Sequence, residues 1–329
     1  MKVLVIGGAG FMGSNFVRFL LKKGSKVLVY DKLSYAGRLE NLADVRDDPR
    51  FRFVKGDICE EEFLYRVVCE YEPDIAVNLA AETHVDRSIN EPSPFLKTNV
   101  FGVFSLLEVA RRRDFRLVHI SSDEVYGDLP EGVSADEDFR LNPSSPYSAC
   151  KASADLLIKA YRRTYGLDVI TVRPSNNYGP YQYPEKFIPK IILRALHDKP
   201  VPVYGDGNQV RDWLYVGDFC EALGVILEKG ASGEIYNVPG FNEKRNLEVV
   251  KAVLELMGKP NSLIRFVEDR PGHDRRYSMR GDKILSLGWR PRTSWLEGLK
   301  KTIDWYLGNE WWWRPLLSDG YFVKDAPWR

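Results

Sequence analysis

Two neighbouring carboxylates, Asp123 and Glu124, follow an apolar run at residues 117–120 and are preceded by the hydroxyl of Ser122. The apolar run predicts a buried strand. Because ligands bind outside the carboxyl ends of the strands in an open α/β sheet, this strand would present an acid, a base and a hydroxyl to a site. An isolated pair of this kind is more typical of a solvated loop, so other residues must decide between the two interpretations.

A tyrosine and a lysine four residues apart, Tyr147 and Lys151, form a second candidate pair. They follow Pro146, which is favourable in the first turn of a helix, and their spacing places both side chains on one helix face. Such a pair is commonly a half-buried tyrosine beside a solvated lysine. Alternatively, Lys151 and a nicotinamide cation together lower the pKa of Tyr147, and a shift from ~10 to ~7 requires roughly 4 kcal/mol. Tyr147 would then accept a proton from an alcohol whose carbon gives up a hydride.

Three glycines, Gly7, Gly10 and Gly13, lie between an aliphatic run and a segment with helical spacing of apolar residues. This order predicts a strand, a tight turn and a helix that together hold a dinucleotide pyrophosphate. Asp31 ends the next predicted strand, at the spacing expected for a ribose-binding carboxylate. A carboxylate there repels a 2′-phosphate and favours NAD over NADP, a preference that the neighbouring Lys32 softens.

Alternation of apolar runs with helical patterns continues through the first half of the chain and predicts an α/β fold with a doubly wound parallel (Rossmann) sheet. A third strand ends at Asp57 and Ile58, where it could reach the adenine edge of the cofactor. A fourth ends at Ala80 and Ala81, whose small side chains leave room for a ligand. The elements therefore predict a cofactor site along one edge of the sheet.

The composition excludes several classes of function. Lys and Arg total 47 against 46 Asp and Glu, a net charge of +1, which argues against a general binder of nucleic acid or of membrane surfaces. The four cysteines show no CxxC spacing and no paired framework, which indicates a reducing cytoplasm and no structural metal site. No apolar run reaches the ~18 residues of a membrane span.

The glycine pattern at 7–13, Asp31, Ser122 and the Tyr-x-x-x-Lys pattern at 147–151 together resemble the extended short-chain dehydrogenase/reductase superfamily. Within that superfamily the chain closely resembles the dTDP-glucose 4,6-dehydratases along essentially its whole length. The motifs that carry this resemblance are Asp31-Lys-Leu-Ser-Tyr-Ala-Gly37, Ala80-Ala-Glu-Thr-His-Val-Asp-Arg-Ser-Ile89, Ser122-Asp-Glu-Val-Tyr-Gly127, Ser175-Asn-Asn-Tyr-Gly-Pro180, Pro184-Glu-Lys-Phe187 and Arg270-Pro-Gly-His-Asp274. The Asp-Glu pair is the most specific, since epimerases of the superfamily usually lack carboxylates there. Ser122 departs from the usual threonine but keeps the hydroxyl.

The resemblance implies a tightly bound NAD that is regenerated in each cycle, a nucleotide-sugar substrate and no metal. The implied catalytic residues are Ser122, Asp123, Glu124, Tyr147 and Lys151. The implied cofactor-binding residues are Gly7, Gly10, Phe11, Met12, Gly13, Asp31, Lys32, Ser34, Asp57, Ile58, Leu79, Ala80, Ala81, Thr98, Tyr147 and Lys151. The implied substrate-binding residues are Ser122, Asn176, Lys186, Phe187, Pro202, Tyr204, Arg211, Asn246, Arg270 and His273. The cations among them suit the diphosphate of dTDP-glucose.

The reaction that the resemblance implies begins with oxidation at C4 of the hexose, which makes the C5 proton acidic. Tyr147, assisted by Ser122, removes the O4 proton while NAD takes the hydride. Glu124 then removes the C5 proton and Asp123 protonates the leaving C6 hydroxyl. Hydride return to C6 gives a 4-keto-6-deoxy sugar. This sequence requires a protonated Asp123 beside an ionised Glu124.

Other functions remain open at the level of sequence. A nucleotide-sugar 4-epimerase or a decarboxylase would use the same Tyr147 and NAD without needing both carboxylates, and a 4,6-dehydratase could act on a UDP-sugar. A non-catalytic NAD-binding protein is a further alternative, since fold does not fix function. The nucleotide base and the downstream deoxysugar pathway are not specified by any residue.

Beyond residue 175 the sequence pattern changes to that of short helices and loops rich in Pro and Gly. This change predicts a smaller, mixed α/β domain that is interleaved with the first. We expect an NAD-binding domain of residues 1–175 and about 212–240, and a nucleotide-sugar-binding domain of about 176–211 and 241–329. Helices near 98–113 and 147–165 would, as the resemblance implies, form the four-helix bundle of a homodimer.

Overall fold

The computed structural model describes residues 1–328. Its strands, in chain order, are β1 Lys2–Ile6, β2 Lys26–Asp31, β3 Phe51–Lys55, β4 Ile75–Asn78, β5 Arg116–Ile120, β6 Val169–Pro174, β7 Asn176–Tyr178, β8 Val201–Tyr204, β9 Val210–Tyr215, β10 Ile235–Val238, β11 Glu243–Arg245 and β12 Ile264–Val267. Its α-helices are α1 Phe11–Lys22, α2 Glu61–Tyr71, α3 Val85–Asn90, α4 Pro92–Leu96, α5 Gly102–Arg112, α6 Pro146–Tyr165, α7 Phe187–Leu196, α8 Val216–Lys229, α9 Asn246–Leu256, α10 Asp282–Ser286, α11 Trp295–Gly308, α12 Glu310–Trp313 and α13 Gly320–Val323.

Seven strands form one sheet in the order β10-β6-β5-β4-β1-β2-β3, and each neighbouring pair is parallel. The strand order therefore runs outward in both directions from the contact of β1 with β4. This confirms the predicted doubly wound fold and places its ligand crevice at the carboxyl ends of those central strands.

The large sheet has an apolar core on each face because its central strands are mostly aliphatic and successive side chains point to opposite sides. Val3 and Val5 of β1 contribute to the face that α1 and α8 cover. Leu4 and Ile6 contribute to the opposite face, which α2, α5 and α6 cover. Continuous burial of this kind explains why the sequence shows unbroken apolar runs here.

The second lobe contains a three-stranded sheet, β11-β9-β7, and a two-stranded sheet, β12-β8. Its core includes Ile192, Trp213, Val253 and Trp312. The sequence led us to expect the segment from about residue 212 to rejoin the large sheet, and β10 does so. Strand β9 instead pairs with β7 and β11. The sequence did not predict this pairing because the partner strands lie in other segments of the chain and no local pattern encodes them.

The two long helices of the first half differ slightly from the expected limits. The segment Lys97–Phe101 forms a π-helical turn that continues into α5. Helix α6 begins after Ser145, whose hydroxyl accepts a hydrogen bond from the backbone of Ser148, and ends at Gly166 with a positive φ of 72°. Within residues 1–328, none of the helices has the length and apolarity needed to cross a membrane.

Candidate active site

A cavity of about 370 Å³ lies at the carboxyl ends of the central strands and continues into the second lobe. It brings together every residue predicted for cofactor or substrate except Asp57 and Lys151. The predicted residues that line it are Gly7, Gly10, Phe11, Met12, Gly13, Asp31, Lys32, Ser34, Ile58, Leu79, Ala80, Ala81, Thr98, Ser122, Asp123, Glu124, Tyr147, Asn176, Lys186, Phe187, Pro202, Tyr204, Arg211, Asn246, Arg270 and His273. Residues from both halves of the sequence thus face one space.

The glycine turn between β1 and α1 forms one end of the cavity. Gly7 has a φ of +79°, and a Cβ there would collide with the backbone of Ala80 in the neighbouring strand end. A Cβ on Gly13 would collide with the carbonyl oxygen of Gly7. Only glycines therefore allow this turn, and the bare backbone they leave at the start of α1 fits the pyrophosphate of a dinucleotide.

Asp31 lies at the end of β2, beside the glycine turn. One carboxylate oxygen accepts a hydrogen bond from the backbone N–H of Ala9 at 2.9 Å and the other from Leu33 at 2.8 Å. Burial raises the pKa of Asp31, and these two hydrogen bonds oppose that rise. The side chain is thus held rigidly at the position that the fingerprint requires for a ribose-binding carboxylate.

Lys32 is engaged by groups of the protein. Its Nζ lies 3.1 Å from a carboxylate oxygen of Glu82 and donates to the hydroxyl of Thr98 at 3.0 Å. Its charge is therefore largely offset, which weakens any attraction for a 2′-phosphate and supports the preference for NAD. Asp57, which does not line the cavity, accepts a hydrogen bond from the backbone of Cys59 at 3.0 Å.

Asp123 and Glu124 begin a single 3₁₀ turn, Asp123–Tyr126, that follows β5. Ser122 caps this turn: its hydroxyl accepts a hydrogen bond from the Glu124 N–H at 3.2 Å and donates to Asp123 Oδ1 at 3.1 Å. One hydroxyl thus orients the Asp123 carboxyl group and holds the backbone of Glu124.

The two carboxyl groups have different surroundings. Burial and the neighbouring Glu124 raise the pKa of Asp123 well above its usual value, and Asp123 Oδ2 has no hydrogen-bond partner. Burial also raises the pKa of Glu124, but the positive charges of Arg270 and Arg211 oppose this. Asp123 is therefore the more readily protonated member of the pair, which is the order that acid and base catalysis by two neighbouring carboxyl groups requires.

Tyr147 is buried in the same cavity, on the first turn of α6. Burial and then the charge of Glu124 raise the pKa of Tyr147, whereas its hydrogen bond with Ser122 lowers it. The contact with Ser122 links the phenol to the turn that carries the two carboxyl groups.

Lys151 lies one helical turn further along α6 and is buried beneath the cavity wall, where its Nζ donates to the backbone carbonyl of Ile120 at 2.7 Å. Burial lowers the pKa of Lys151 to about 8, and Asp155 opposes this shift. The protein's own groups therefore do not, on balance, lower the pKa of Tyr147. The mechanism inferred from the sequence still requires the positive charge of a bound nicotinamide in addition to Lys151.

Asp86 organises the opposite end of the cavity. Its two oxygens accept hydrogen bonds from the hydroxyl of Tyr204 at 3.0 Å and from the guanidinium of Arg270 at 2.9 Å. Lys186 donates to the backbone carbonyl of Thr83 at 2.7 Å. These contacts pre-organise an aromatic ring and two cations around the space.

Arg211 and His273 complete that end. The Arg211 guanidinium stacks on the ring of Tyr277 at 4.1 Å and donates to the backbone carbonyl of Asp274 at 3.0 Å. His273 Nδ1 lies 2.6 Å from Asp269 Oδ1. Burial and the neighbouring arginines lower the pKa of His273.

The family model described as GDP-mannose 4,6 dehydratase matches residues 4–302. A dTDP-glucose 4,6-dehydratase of Neisseria meningitidis is 49% identical, with 98% of each chain covered. The Salmonella typhimurium enzyme of the same name is 46% identical, over 98% of this chain and 97% of its own. The chain belongs to the dTDP-glucose 4,6-dehydratases.

Solved structures of this dehydratase family share the fold. A Streptomyces venezuelae dTDP-glucose 4,6-dehydratase with NAD and dTDP bound superposes with a TM-score of 0.93 at 47% identity, covering 96% of this chain and all of its own. A Thermus thermophilus UDP-glucose 4-epimerase with NAD is 34% identical, with a TM-score of 0.88, covering 94% of this chain and all of its own. The fold alone therefore does not distinguish a dehydratase from an epimerase. The distinction depends on the carboxylate pair, Asp123 and Glu124.

Several charged residues of this dehydratase site were not predicted from its sequence. Asp86, Glu185 and Lys190 line the cavity, and Asp274 and Tyr277 lie directly behind it. Asp86, Glu185 and Asp274 stand within motifs that carry the family resemblance, but no role was assigned to them. No spacing rule signals Lys190 or Tyr277, because their partners lie mostly in other segments of the chain. Within residues 1–328, no group of three or more His, Cys, Asp or Glu side chains is arranged to hold a metal ion.

Proposed function

We propose that this protein catalyses the NAD-dependent dehydration of dTDP-glucose to dTDP-4-keto-6-deoxyglucose. The observation that carries the proposal is the placement of Asp123, Glu124 and Tyr147 around one cavity, where Asp123 is the more readily protonated of the two carboxyl groups and two arginines act on Glu124. Relatives named dTDP-glucose 4,6-dehydratase, at 46% and 49% identity over nearly the whole chain, support it.

The glycine turn, Asp31 and the small strand end at Ala80 and Ala81 would hold NAD. Their bare backbone and buried carboxylate fit a dinucleotide. When bound, NAD supplies a hydride acceptor for C4 of the sugar and later a hydride donor for C6.

The residues of the chain move the protons. Tyr147, hydrogen-bonded to Ser122, accepts the O4 proton as C4 is oxidised. The resulting ketone acidifies the C5 proton, which the ionised Glu124 accepts. Asp123 gives its proton to the C6 hydroxyl, which leaves as water. In the elimination, Asp123 acts as the general acid and Glu124 as the general base.

The second lobe would bind the nucleotide diphosphate. Arg270, Arg211 and Lys186 supply cations that suit phosphate oxygens, and Tyr204 offers a ring fixed by Asp86. The diphosphate loses water when it binds, and these cations are already oriented to replace that water.

The decisive experiment is to incubate the purified protein with dTDP-glucose in heavy water and to analyse the product by NMR. We expect a 4-keto-6-deoxy sugar with solvent deuterium at C5. A galactose product would show a 4-epimerase, and a product without deuterium at C5 would contradict the role of Glu124. Parallel assays with UDP-glucose and CDP-glucose measure the preference for the base, since one methyl group contributes only ~1–3 kcal/mol.

We also propose a division of labour along the chain. Residues 1–175 and about 212–240 would bind NAD, and residues 176–211 and 241–329 the nucleotide sugar. The strand pairing supports this division with one change: β9, at the start of the second NAD-binding segment, lies in the small sheet of the other lobe.

We propose further that the protein is a homodimer through a four-helix bundle. A band of aromatic rings runs across α5 and α6 and the π-helical turn before them, through Phe101, Phe104, Tyr161 and Tyr165. Phe101 and Tyr165, at its two ends, are each 50% exposed. An apolar band on two packed helices is the surface that a second copy would cover.

The location that we propose is the cytoplasm. The four cysteines are unpaired, and two of them are buried. Thiols kept in the reduced form suit a reducing compartment.

A further inference from the structure

Tyr277 connects the general base to a carboxylate that does not line the cavity. Its hydroxyl donates to Asp274 Oδ2 at 2.7 Å and lies 3.5 Å from Glu124 Oε2. Tyr277 is 3% and Asp274 6% exposed, so solvent does not compete for these contacts. The ring of Tyr277 is held from the other side by the Arg211 guanidinium.

A tyrosine hydroxyl has a single proton, so it cannot donate strongly to two carboxylates at once. The distances assign that proton to Asp274, since 3.5 Å is the outer limit of a hydrogen bond. Glu124 consequently keeps its lone pairs unengaged by Tyr277. If the proton turned to Glu124 instead, the ionised carboxylate would be stabilised and would become a weaker base.

We propose that Asp274 is a positioning residue that keeps Glu124 strongly basic by retaining the proton of Tyr277. This inference rests on the proposed function. In the step that it supports, the C5–H bond breaks, its proton passes to Glu124, and its electron pair expels the C6 hydroxyl, which takes a proton from Asp123. Neither Asp274 nor Tyr277 exchanges a proton with the sugar.

The charge of Asp274 acts in the same direction as its hydrogen bond. It raises the pKa of Glu124, whereas the cations nearby lower it. Asp274→Asn removes both influences, because the amide is neutral and accepts the tyrosine proton less strongly. The charged and titratable groups that face Glu124 are Arg270, Arg211, Lys186, Asp274, Asp123, Tyr147 and Tyr277.

The test is the pH dependence of turnover by the NAD-loaded enzyme with dTDP-glucose. For Asp274→Asn we expect kcat to fall roughly 10- to 100-fold, with little change in KM. The rising limb of the kcat profile should move to lower pH, because Glu124 holds its proton less tightly. Deuterium incorporation at C5 should slow, whereas the initial rate of NADH absorbance on adding substrate should not change, since C4 oxidation does not use Glu124.

The second variant is Tyr277→Phe, which removes the hydroxyl and keeps the ring. In this background Asp274→Asn should lower kcat less than it does alone, because no tyrosine proton is left to turn towards Glu124. The matched control is Asp128→Asn, which also removes one negative charge beside this segment, where Asp128 accepts hydrogen bonds from the backbone of Arg275 and Arg276. We expect it to leave kcat and the pH profile unchanged.

An unshifted rising limb in Asp274→Asn would overturn the proposal, as would an equal loss of C5 exchange and of NADH formation. Equal effects of Asp274→Asn with and without the Tyr277 hydroxyl would also count against it. If the unaltered protein forms no 4-keto-6-deoxy sugar, the proposed function itself fails, which is a separate result. Thermal unfolding of each variant separates a folding defect from a chemical one.

Discussion

At the level of single residues, the proposed chemistry depends on giving two adjacent carboxyl groups opposite tasks. The hydroxyl of Ser122 bonds the carboxyl group of Asp123 and the backbone N–H of Glu124. Arg270 and Arg211 both act on Glu124, whereas Asp123 is acted on by Arg211 and by the negative charge of Glu124. Two carboxyl groups with nearly the same intrinsic pKa can therefore act as acid and base because their surroundings differ within a few ångströms. The same difference makes the two residues separable by experiment.

Asp123→Asn and Glu124→Gln should each lower kcat on the order of 10²–10⁴-fold, because each removes one proton-transfer group. Glu124→Gln should also abolish deuterium incorporation at C5. Asp123→Asn should retain C5 exchange while product formation falls, because the base is still present. NMR of the reaction in heavy water distinguishes the two outcomes, and full turnover by either variant would refute its assigned role.

The sequence predicted the residues that carry local signals, and it did not predict those that act through distant partners. Asp123 and Glu124 follow a strand directly, and Tyr147 and Lys151 share one helical turn. Asp86, by contrast, binds Arg270 across 184 positions of sequence. Such contacts depend on the packing of two lobes, and pattern and spacing within one segment do not report that packing.

At the level of elements, one buried network joins the C-terminal segment to the site. The Arg87 guanidinium of α3 lies 2.6 Å from Glu185 and 2.9 Å from Asp319, between the rings of Tyr35 and Tyr321. The Glu185 side chain is fully buried and lines the cavity. This network holds Glu185, just before α7, against Tyr35 beside the predicted cofactor site and against Asp319 in the C-terminal segment.

Arg87→Leu should destabilise the protein by about 3 kcal/mol, the lower end of the range for a broken buried ion pair, because Glu185 loses its ion-pair partner while Lys186 remains nearby. The loss should increase as pH rises from acid to neutral, since a protonated Glu185 needs no partner. The matched control is Arg275→Leu, whose pair with Asp206 is 59% and 49% exposed and should contribute no more than about 1 kcal/mol. Urea unfolding at several pH values measures both, and equal losses would contradict the argument.

The same contrast between local and distant signals applies to elements. The strand, turn and helix at residues 2–22 follow from aliphatic residues, glycines and helical spacing that are contiguous. The expected return to the large sheet near residue 212 was wrong for β9, which lies between β7 and β11 in the small sheet. Its register with these two strands, in which Asn176 pairs with Trp213 and Lys244 with Arg211, joins segments that are distant in sequence.

At the scale of the whole molecule, the question is what covers the aromatic band on α5 and α6. Phe101, in the π-helical turn before α5, is 50% exposed and forms one end of this band. In a two-fold dimer each side chain on this face meets the partner's copy of the same surface. A charge introduced at the face would consequently enter the interface twice.

Phe101→Lys should therefore convert the proposed homodimer into a monomer, because two ammonium groups would be buried without partners. Leu307→Lys is the matched control: Leu307 is also 50% exposed, but it lies on α11, away from the band. Light scattering coupled to size-exclusion chromatography should give a dimeric mass for the unaltered chain and the control, and a monomeric mass for Phe101→Lys. Far-ultraviolet circular dichroism checks that the variant remains folded. A monomeric unaltered protein, or a dimeric Phe101→Lys, would show that these helices do not form the interface.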